Sequence, residues 1–172
     1  MPPCFDVYVW IRAADRASTL AAFIDRYVDT ENPGDPRFEA LVRALVDERP
    51  APGDRDALAD LRRDPDSINA FSIYLRAKSH QGAVVTLTEE GDLVLGLGID
   101  DPFNDPQVAV HAAGLISDLR TELRAVAGIA GVELAPPQST SEWRDNEVVT
   151  LRTGQPPTPS RTPLSTALRD MP

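Results

Sequence analysis

Two neighbouring stretches of alternating residues, 83–88 and 92–99, constrain the fold of this chain more than any other feature. In each stretch, aliphatic residues recur at every second position, and side chains two apart in a strand lie on the same face of a sheet. Glu90-Gly91 lies between the stretches, and a short connection that contains glycine favours a tight turn. The pattern therefore predicts a β-hairpin in an antiparallel sheet that has one strongly apolar face.

Further strands and several helices are predicted on both sides of this hairpin. Asp-Pro pairs at residues 35–36 and 105–106 favour the starts of two helices, because Asp caps a helix and Pro fits its first turn. From apolar residues at helical spacing, a first helix is predicted that Asp15 or Ser18 caps and that Asn32-Pro33-Gly34 ends. The further predicted helices are 35–46, 54–61 and 105–126. The predicted strands are 5–11, 70–76, 83–88, 92–99 and 132–134, with an additional strand at 147–152.

The order β-α-α-α-β-β-β-α-β indicates an α+β fold. A strand meander with helices returning over it favours an antiparallel sheet of four to six strands, with the helices packed on one face. The closest standard topology is a ferredoxin-like arrangement with an inserted pair of helices. Residues 1–135 are predicted to form this α+β domain, and residues 136–153 a C-terminal extension with the additional strand. Residues 154–172 are Pro-rich and are predicted to be a flexible tail that folding does not require.

The second face of the predicted sheet has an unusual composition of large aromatic residues and glycines with few charges. Its predicted members are Tyr8, Trp10, Tyr74, Val84, Thr86, Thr88, Val94, Gly96 and Gly98. Three interpretations are open. The segment from Pro136 to Arg152, which contains Trp143, could cover this face, because monomers rarely leave large apolar patches exposed. Alternatively, the face could bind a protein through its aromatic anchors, or a small molecule that approaches the glycines closely.

The charge of the chain is strongly negative and unevenly distributed. Its 172 residues include 17 Lys and Arg against 27 Asp and Glu, which gives a net charge of −10. Residues 1–135 contain 23 of these acids and 13 of these bases, and residues 136–172 contain 4 of each. An acidic surface repels phosphate backbones and attracts basic proteins. We therefore expect a basic protein partner and no binding to nucleic acid; self-association into a homo-oligomer is a further hypothesis.

The residues that could carry chemistry form no recognisable catalytic or metal-binding motif. The single cysteine, Cys4, and the two histidines, His80 and His111, have neither the spacing of zinc ligands nor that of a nucleophile with its base. The acidic loop from Asp100 to Asp105 offers oxygens that suit Mg²⁺ or Ca²⁺, but its spacing is not that of a calcium-binding loop. We expect no catalytic residues, no metal site and no cofactor.

The compartment is inferred from what the chain contains. No apolar stretch approaches the ~20 residues that span a bilayer, and the N-terminus lacks the basic and apolar regions of a signal peptide. The 16 arginines against 1 lysine are typical of a GC-rich bacterial genome. We expect a cytoplasmic bacterial protein that does not bind membranes.

The hairpin region from Val84 to Asp100 resembles a pattern found in small acidic immunity proteins of bacterial toxin–immunity systems, which often join such hairpins to flanking helices. The resemblance covers about residues 5–135. It implies a cytoplasmic protein that binds and blocks a cognate toxin through acidic and aromatic surface groups. It assigns no role to any particular residue.

Together these observations predict a non-catalytic, acidic protein-binding module that acts as an immunity-type inhibitor. The predicted partner-binding residues are Tyr8, Trp10, Tyr74, Glu89, Glu90, Asp92, Asp100 and Asp101. The alternative is a small-molecule-binding or enzymatic α+β domain that uses the second sheet face or the Asp100–Asp105 loop.

Overall fold

The computed structural model describes residues 3–101 and 103–158. Its strands are β1 (Cys4–Ile11), β2 (Phe71–Leu75), β3 (Gly82–Leu87), β4 (Leu93–Asp100), β5 (Ala127–Val132) and β6 (Leu151–Gly154). Its α-helices are α1 (Arg16–Tyr27), α2 (Phe38–Leu45), α3 (Asp54–Ala59), α4 (Pro106–Leu123) and α5 (Thr140–Asp145). The predicted tail lies outside the described residues from position 159 onward.

The six strands form one antiparallel sheet in the order β2-β3-β4-β1-β5-β6. β1 lies inside the sheet, with β4 on one side and β5 on the other. The predicted hairpin is the β3–β4 pair, and the meander β2-β3-β4 returns the chain to β1. The α+β class and the antiparallel sheet predicted from the sequence are confirmed.

Helix α4 begins as its Asp-Pro pair predicts. The side chain of Asp105 accepts a hydrogen bond from the backbone N–H of Gln107 at 2.9 Å, and Pro106 occupies the first turn. The helix ends at Leu123, and Arg124 follows in the left-handed region with φ of 55°. This residue reverses the chain directly into β5.

The position of β5 was predicted wrongly. The sequence predicts a strand at 132–134 and a helix end at Gly128 and Gly131. In the structure, both glycines lie inside β5. A Cβ at Gly128 would come within 2.5 Å of Ile116 on α4, and one at Gly131 within 2.9 Å of the carbonyl of Val148. These glycines therefore allow close packing of a strand rather than a helix end. The additional strand, predicted at 147–152, lies at Leu151–Gly154.

The first sheet face forms the main core, as the alternation predicts. Helices α1 to α4 pack on it and bury a continuous cluster of aliphatic and aromatic side chains. Its members from the sheet include Phe5, Val7, Val9, Ile11, Phe71, Ile73, Leu75, Val85, Leu87, Leu93, Leu95, Leu97 and Ile99.

A second, smaller cluster lies on the opposite face of the sheet. Its buried members are Tyr8, Trp10, Val84, Val94, Ala127, Ile129, Leu134 and Trp143. Trp143 belongs to α5, a helix that the sequence analysis did not predict. The C-terminal extension therefore packs on the face opposite α1 to α4, so the predicted arrangement with helices on one face describes the larger layer only.

Candidate functional site

The part of the second face beside the β3–β4 hairpin is closed by the C-terminal extension; we call it the closed half. Trp10 and Trp143 both have 0 % of their surface exposed, and their rings meet edge to face with centroids 5.4 Å apart. Tyr8 is 2 % exposed, and its hydroxyl donates to the backbone oxygen of Leu134 at 2.6 Å. Two of the predicted partner-binding residues, Tyr8 and Trp10, are therefore enclosed within the protein.

The acidic hairpin tip also holds the closed half together. One carboxylate oxygen of Glu90 accepts hydrogen bonds from the backbone N–H and the hydroxyl of Thr140, each at 2.8 Å. The carboxylate of Asp92 accepts from the indole N–H of Trp10 at 2.9 Å and from the backbone N–H of Ala13 at 2.8 Å. These carboxylates are engaged within the chain, since they fix α5 and the Trp10 ring in place.

Glu89 differs from its two neighbours, because its side chain is exposed. Its backbone N–H donates to the carbonyl of Gln138 at 2.9 Å, which adds a main-chain contact to the extension. Desolvation and the nearby carboxylates of Glu90 and Glu142 raise the pKa of Glu89. Of the predicted hairpin residues, it is the one whose carboxylate remains accessible.

At the opposite end of the strands, the second face is open and forms a groove of about 520 Å³, which we call the Tyr74 groove. Its lining residues are Cys4, Asp6, Gly34, Tyr74, Leu75, Arg76, Gln81, Gly82, Ala83, Val84, Gly98 and Glu133. Tyr74 is 63 % exposed. The third predicted aromatic anchor therefore lies at the surface, on the part of the sheet that the extension does not cover.

Two glycines of β4 lie where the closed half meets the Tyr74 groove. Tyr8 pairs with Gly96 across the strands, and a Cβ at Gly96 would lie 2.4 Å from the Tyr8 ring. A Cβ at Gly98 would lie 2.8 Å from the Cys4 sulfur. The first glycine lets an aromatic ring lie flat on the sheet, and the second keeps the floor of the Tyr74 groove low.

The polar groups on the groove floor are Cys4 and Asp6. The thiol of Cys4 donates to a carboxylate oxygen of Asp6 at 3.3 Å, and the other oxygen accepts from the backbone N–H of Leu134 at 2.9 Å. Burial, followed by the charge of Asp6, raises the pKa of Cys4 to about 12. Burial also raises the pKa of Asp6. The thiol is therefore protonated at neutral pH, a form that is a weak nucleophile.

The Asp100–Asp105 loop lies at the same end of the sheet as the groove. Asp100 pairs with Cys4 in the β1–β4 register and is exposed. Asp101 is buried, and its carboxylate accepts from the backbone N–H of Asp105 at 2.8 Å. One predicted site residue, Asp101, thus shapes the loop, while the other, Asp100, faces solvent beside the groove. Across the described ranges, no three His, Cys, Asp or Glu side chains form a group that could hold a metal ion.

Three residues of this end were not singled out as binding residues by the sequence analysis. Phe103 is 89 % exposed in the loop, and Asp6 lies on the groove floor. Glu133 lies at the rim, where its backbone N–H donates to the carbonyl of Cys4 at 2.8 Å. An aromatic residue between acids, as in the Asp100–Asp105 loop, was the signal that could have identified Phe103. We call the Tyr74 groove together with Asp100 and Phe103 the open-end surface.

Comparisons with known proteins add no relative to this description. No protein-family model, no curated protein and no solved structure matches the chain. Among the described residues, no helix combines the length and the apolar character that crossing a bilayer requires.

Proposed function

We propose that this protein is a non-catalytic binding module that holds a basic protein partner on the open-end surface, and that it acts as an immunity-type inhibitor of a cognate bacterial toxin. The observation that carries the proposal is the exposure of Tyr74 in a groove that Asp6 and Glu133 line. Asp100 and Phe103 are also exposed, in β4 and in the loop that follows it at the same end of the sheet. Exposed aromatic residues are common anchors of protein interfaces.

The electrostatics of this surface favour a basic partner. Three carboxylates border or line the open-end surface, whereas Arg76 is the one basic side chain among the described residues that line the groove. The net charge of −10 extends this local field over the whole protein. Such a field speeds the approach of a basic protein and disfavours acidic competitors.

The environment of Tyr74 suits a cationic side chain from the partner. Burial and the charge of Asp6 raise the pKa of Tyr74, and the charge of Arg63 acts in the opposite direction. The ring is neutral at pH 7 and presents a π face. A lysine or arginine over this ring would approach the carboxylates of Asp6 and Glu133 at the same time. The groove thus offers a cation–π contact and charge pairing in one place.

The proposal is tested by co-expressing the chain with the product of its neighbouring gene and measuring the affinity of the purified complex. Tyr74→Ala should weaken binding by about 2 kcal/mol or more, roughly thirtyfold, as truncation of an interface anchor does. Glu133→Lys should weaken binding and lower the association rate, whereas Asp118→Lys makes the same charge change at an exposed position of α4, outside the groove.

The two charge variants separate a local site from a general field effect. Equal losses with Glu133→Lys and Asp118→Lys would mean that only the net charge matters. Full affinity in Tyr74→Ala and Glu133→Lys would place the interface elsewhere. The absence of any complex would contradict the immunity-type role with that partner.

The size of the Tyr74 groove favours a second candidate function, which is the binding of a small molecule. Its volume of about 520 Å³ lies in the range of ligand pockets, and Arg76, Gln81 and Tyr74 bring polar groups to it. A screen of small cationic and aromatic compounds by thermal unfolding tests this function. A hit that is lost in Tyr74→Ala, together with no protein partner, would favour this candidate.

A further inference from the structure

A second groove lies on another side of the molecule, between α4 and the edge strand β6. Its volume is about 480 Å³. Its lining residues are Ala113, Ile116, Ser117, Arg120, Thr121, Ala125, Leu151, Arg152 and Thr153. None of these residues belongs to the open-end surface, so the groove is independent of the proposed function.

One wall of this α4–β6 groove is a strand whose outer edge has no strand partner among the described residues. β6 pairs with β5 through four residues, Leu151 to Gly154, and ends the sheet on that side. Free main-chain N–H and C=O groups at a sheet edge can pair with an additional extended segment. At the other edge of the sheet, by contrast, the chain just after β2 meets the 27–33 segment, where the backbone N–H of Arg76 donates to the carbonyl of Pro33 at 2.8 Å.

The other wall is a face of α4 with small side chains. Ala113, Ser117 and Thr121 follow one another at four-residue spacing and are exposed, whereas Ile116 and Leu151 form an apolar floor. A strand laid along β6 would direct alternate side chains toward this floor. Helix and edge strand together form the kind of groove in which peptide-binding domains hold an added strand.

The charge of the groove indicates which kind of segment fits. Arg120 donates to the hydroxyl of Thr153 and to the carbonyl of Val126, and Arg152 donates to the carbonyls of Trp143 and Asn146. Within the described part of the chain, neither guanidinium forms an ion pair with a carboxylate. Arg152 lies on the opposite face of β6, since it pairs with Ile129 of the second cluster. A carboxylate that enters the groove would therefore be attracted by Arg120.

We propose that an extended segment of a partner protein adds to the outer edge of β6 as a seventh strand, with apolar side chains on the Ile116–Leu151 floor and an acidic side chain beside Arg120. Three observations converge on this occupant: an edge of β6 with no strand partner among the described residues, an adjoining groove of about 480 Å³, and the Arg120 guanidinium, which forms no ion pair with a described carboxylate. The chemistry is opposite to that of the open-end surface, which attracts basic groups.

The test uses the full chain labelled with ¹⁵N and a synthetic acetylated and amidated Val-Thr-Asp-Thr-Val peptide as the probe, in which both Val side chains and the Asp side chain share one face of the strand. Backbone amide signals of α4 and β6 should shift in the titration, while those of the Tyr74 groove should not. A peptide with Lys in place of Asp should bind about tenfold more weakly, because it loses the charge-assisted contact. A peptide with N-methylated alternate amides should also bind more weakly, because it cannot complete the main-chain ladder.

Two neighbouring substitutions provide a matched control. Ser117→Trp places a large ring in the groove and should abolish the shifts, whereas Asp118→Trp places the same ring at an exposed position that does not line the groove and should leave them intact. Thermal unfolding of both variants checks that each remains folded. The Tyr74→Ala variant should bind the probe as well as the unchanged protein does, so failure of this inference is distinct from failure of the proposed function.

Several outcomes would overturn the inference. These are no shifts at a peptide concentration on the order of 1 mM, equal binding of the Asp and Lys peptides, or binding that survives Ser117→Trp. A truncation after Thr158 that itself shifts the α4 and β6 signals would show that the chain's own C-terminal residues occupy the groove, and would equally exclude a partner segment.

Discussion

The two halves of the second sheet face share strands of one sheet, but the C-terminal extension covers one half and leaves the other exposed. In the closed half, Trp10 is fully buried against Trp143, and the carboxylates of the hairpin tip bind the covering segment. The other half carries the Tyr74 groove, and we call it the open half. There Tyr74 is largely exposed above a floor that includes Asp6. The path of the chain after β5 creates this difference, because the extension packs over β5 and the hairpin tip but leaves the sheet around Tyr74 and Gly98 uncovered. An aromatic residue on a sheet face is therefore an interface candidate only where no later segment covers it.

The largest expected effect is the loss of stability on truncating the closed half. Trp10→Ala should lower the free energy of unfolding by about 3–5 kcal/mol, as large-to-small core substitutions of Phe and Trp do. Denaturant unfolding measures this value. A loss below about 1 kcal/mol would mean that the extension does not pack on Trp10, and the division into two halves would fail.

The second-largest expected effect is a difference in stability between variants that remove one or the other indole N–H group of the closed half. The N–H of Trp10 binds Asp92 at 2.9 Å, whereas that of Trp143 is buried with no hydrogen-bond partner among the described residues. Trp10→Phe leaves a charged acceptor with one donor fewer, and Trp143→Phe removes an unsatisfied donor. Trp10→Phe should therefore destabilise the protein more, by about 1–3 kcal/mol relative to Trp143→Phe. The reverse order in denaturant unfolding would contradict this arrangement.

The third effect concerns the chemistry of the open half. Because burial and Asp6 raise the pKa of Cys4 to about 12, its thiolate is scarce at pH 8, and its fraction grows as the pH rises toward 12. Alkylation of this single cysteine by iodoacetamide at pH 8 should be at least about tenfold slower than that of a cysteine in a short peptide.

A matched variant tests the cause of this slow reaction. Asp6→Asn removes the negative charge that opposes ionisation of Cys4 and should speed alkylation in the folded protein. Alkylation of the unchanged protein at the rate of the peptide would show that the groove floor does not have the described environment.

The smallest expected effect is that of Tyr74→Ala on stability. Because 63 % of this side chain is exposed, its removal should change the free energy of unfolding by no more than about 1 kcal/mol, well below the loss from Trp10→Ala. The same denaturant series measures both variants. A loss that equals the one in Trp10→Ala would mean that the open half is part of the core.

The sequence was sufficient to predict the first sheet face and the helix that crosses it. Alternation in β3 and β4 is regular because one face of each strand packs under helices, and the cap at Asp105 is a local signal. These features depend on residues close together in the chain. Their physical cause is therefore visible in short windows of sequence.

The closure of the second face depends on contacts distant in sequence. Helix α5 has six residues and one buried side chain, Trp143, so it shows no helical period that could be recognised. β5 contains Gly128 and Gly131, which lower its strand propensity although packing requires them. The partners that bury these elements, Ile116 and Trp10, lie elsewhere in the chain. Consequently the sequence left three interpretations of this face open.

The most direct test of this two-half description is quenching of tryptophan fluorescence by acrylamide. The chain has two tryptophans, and both lie in the closed half with 0 % of their surface exposed. The folded protein should show blue-shifted emission and little quenching, and denaturant should bring both properties to those of a free indole. Strong quenching and red-shifted emission in the folded protein would show that the extension does not close this face, and would contradict the account.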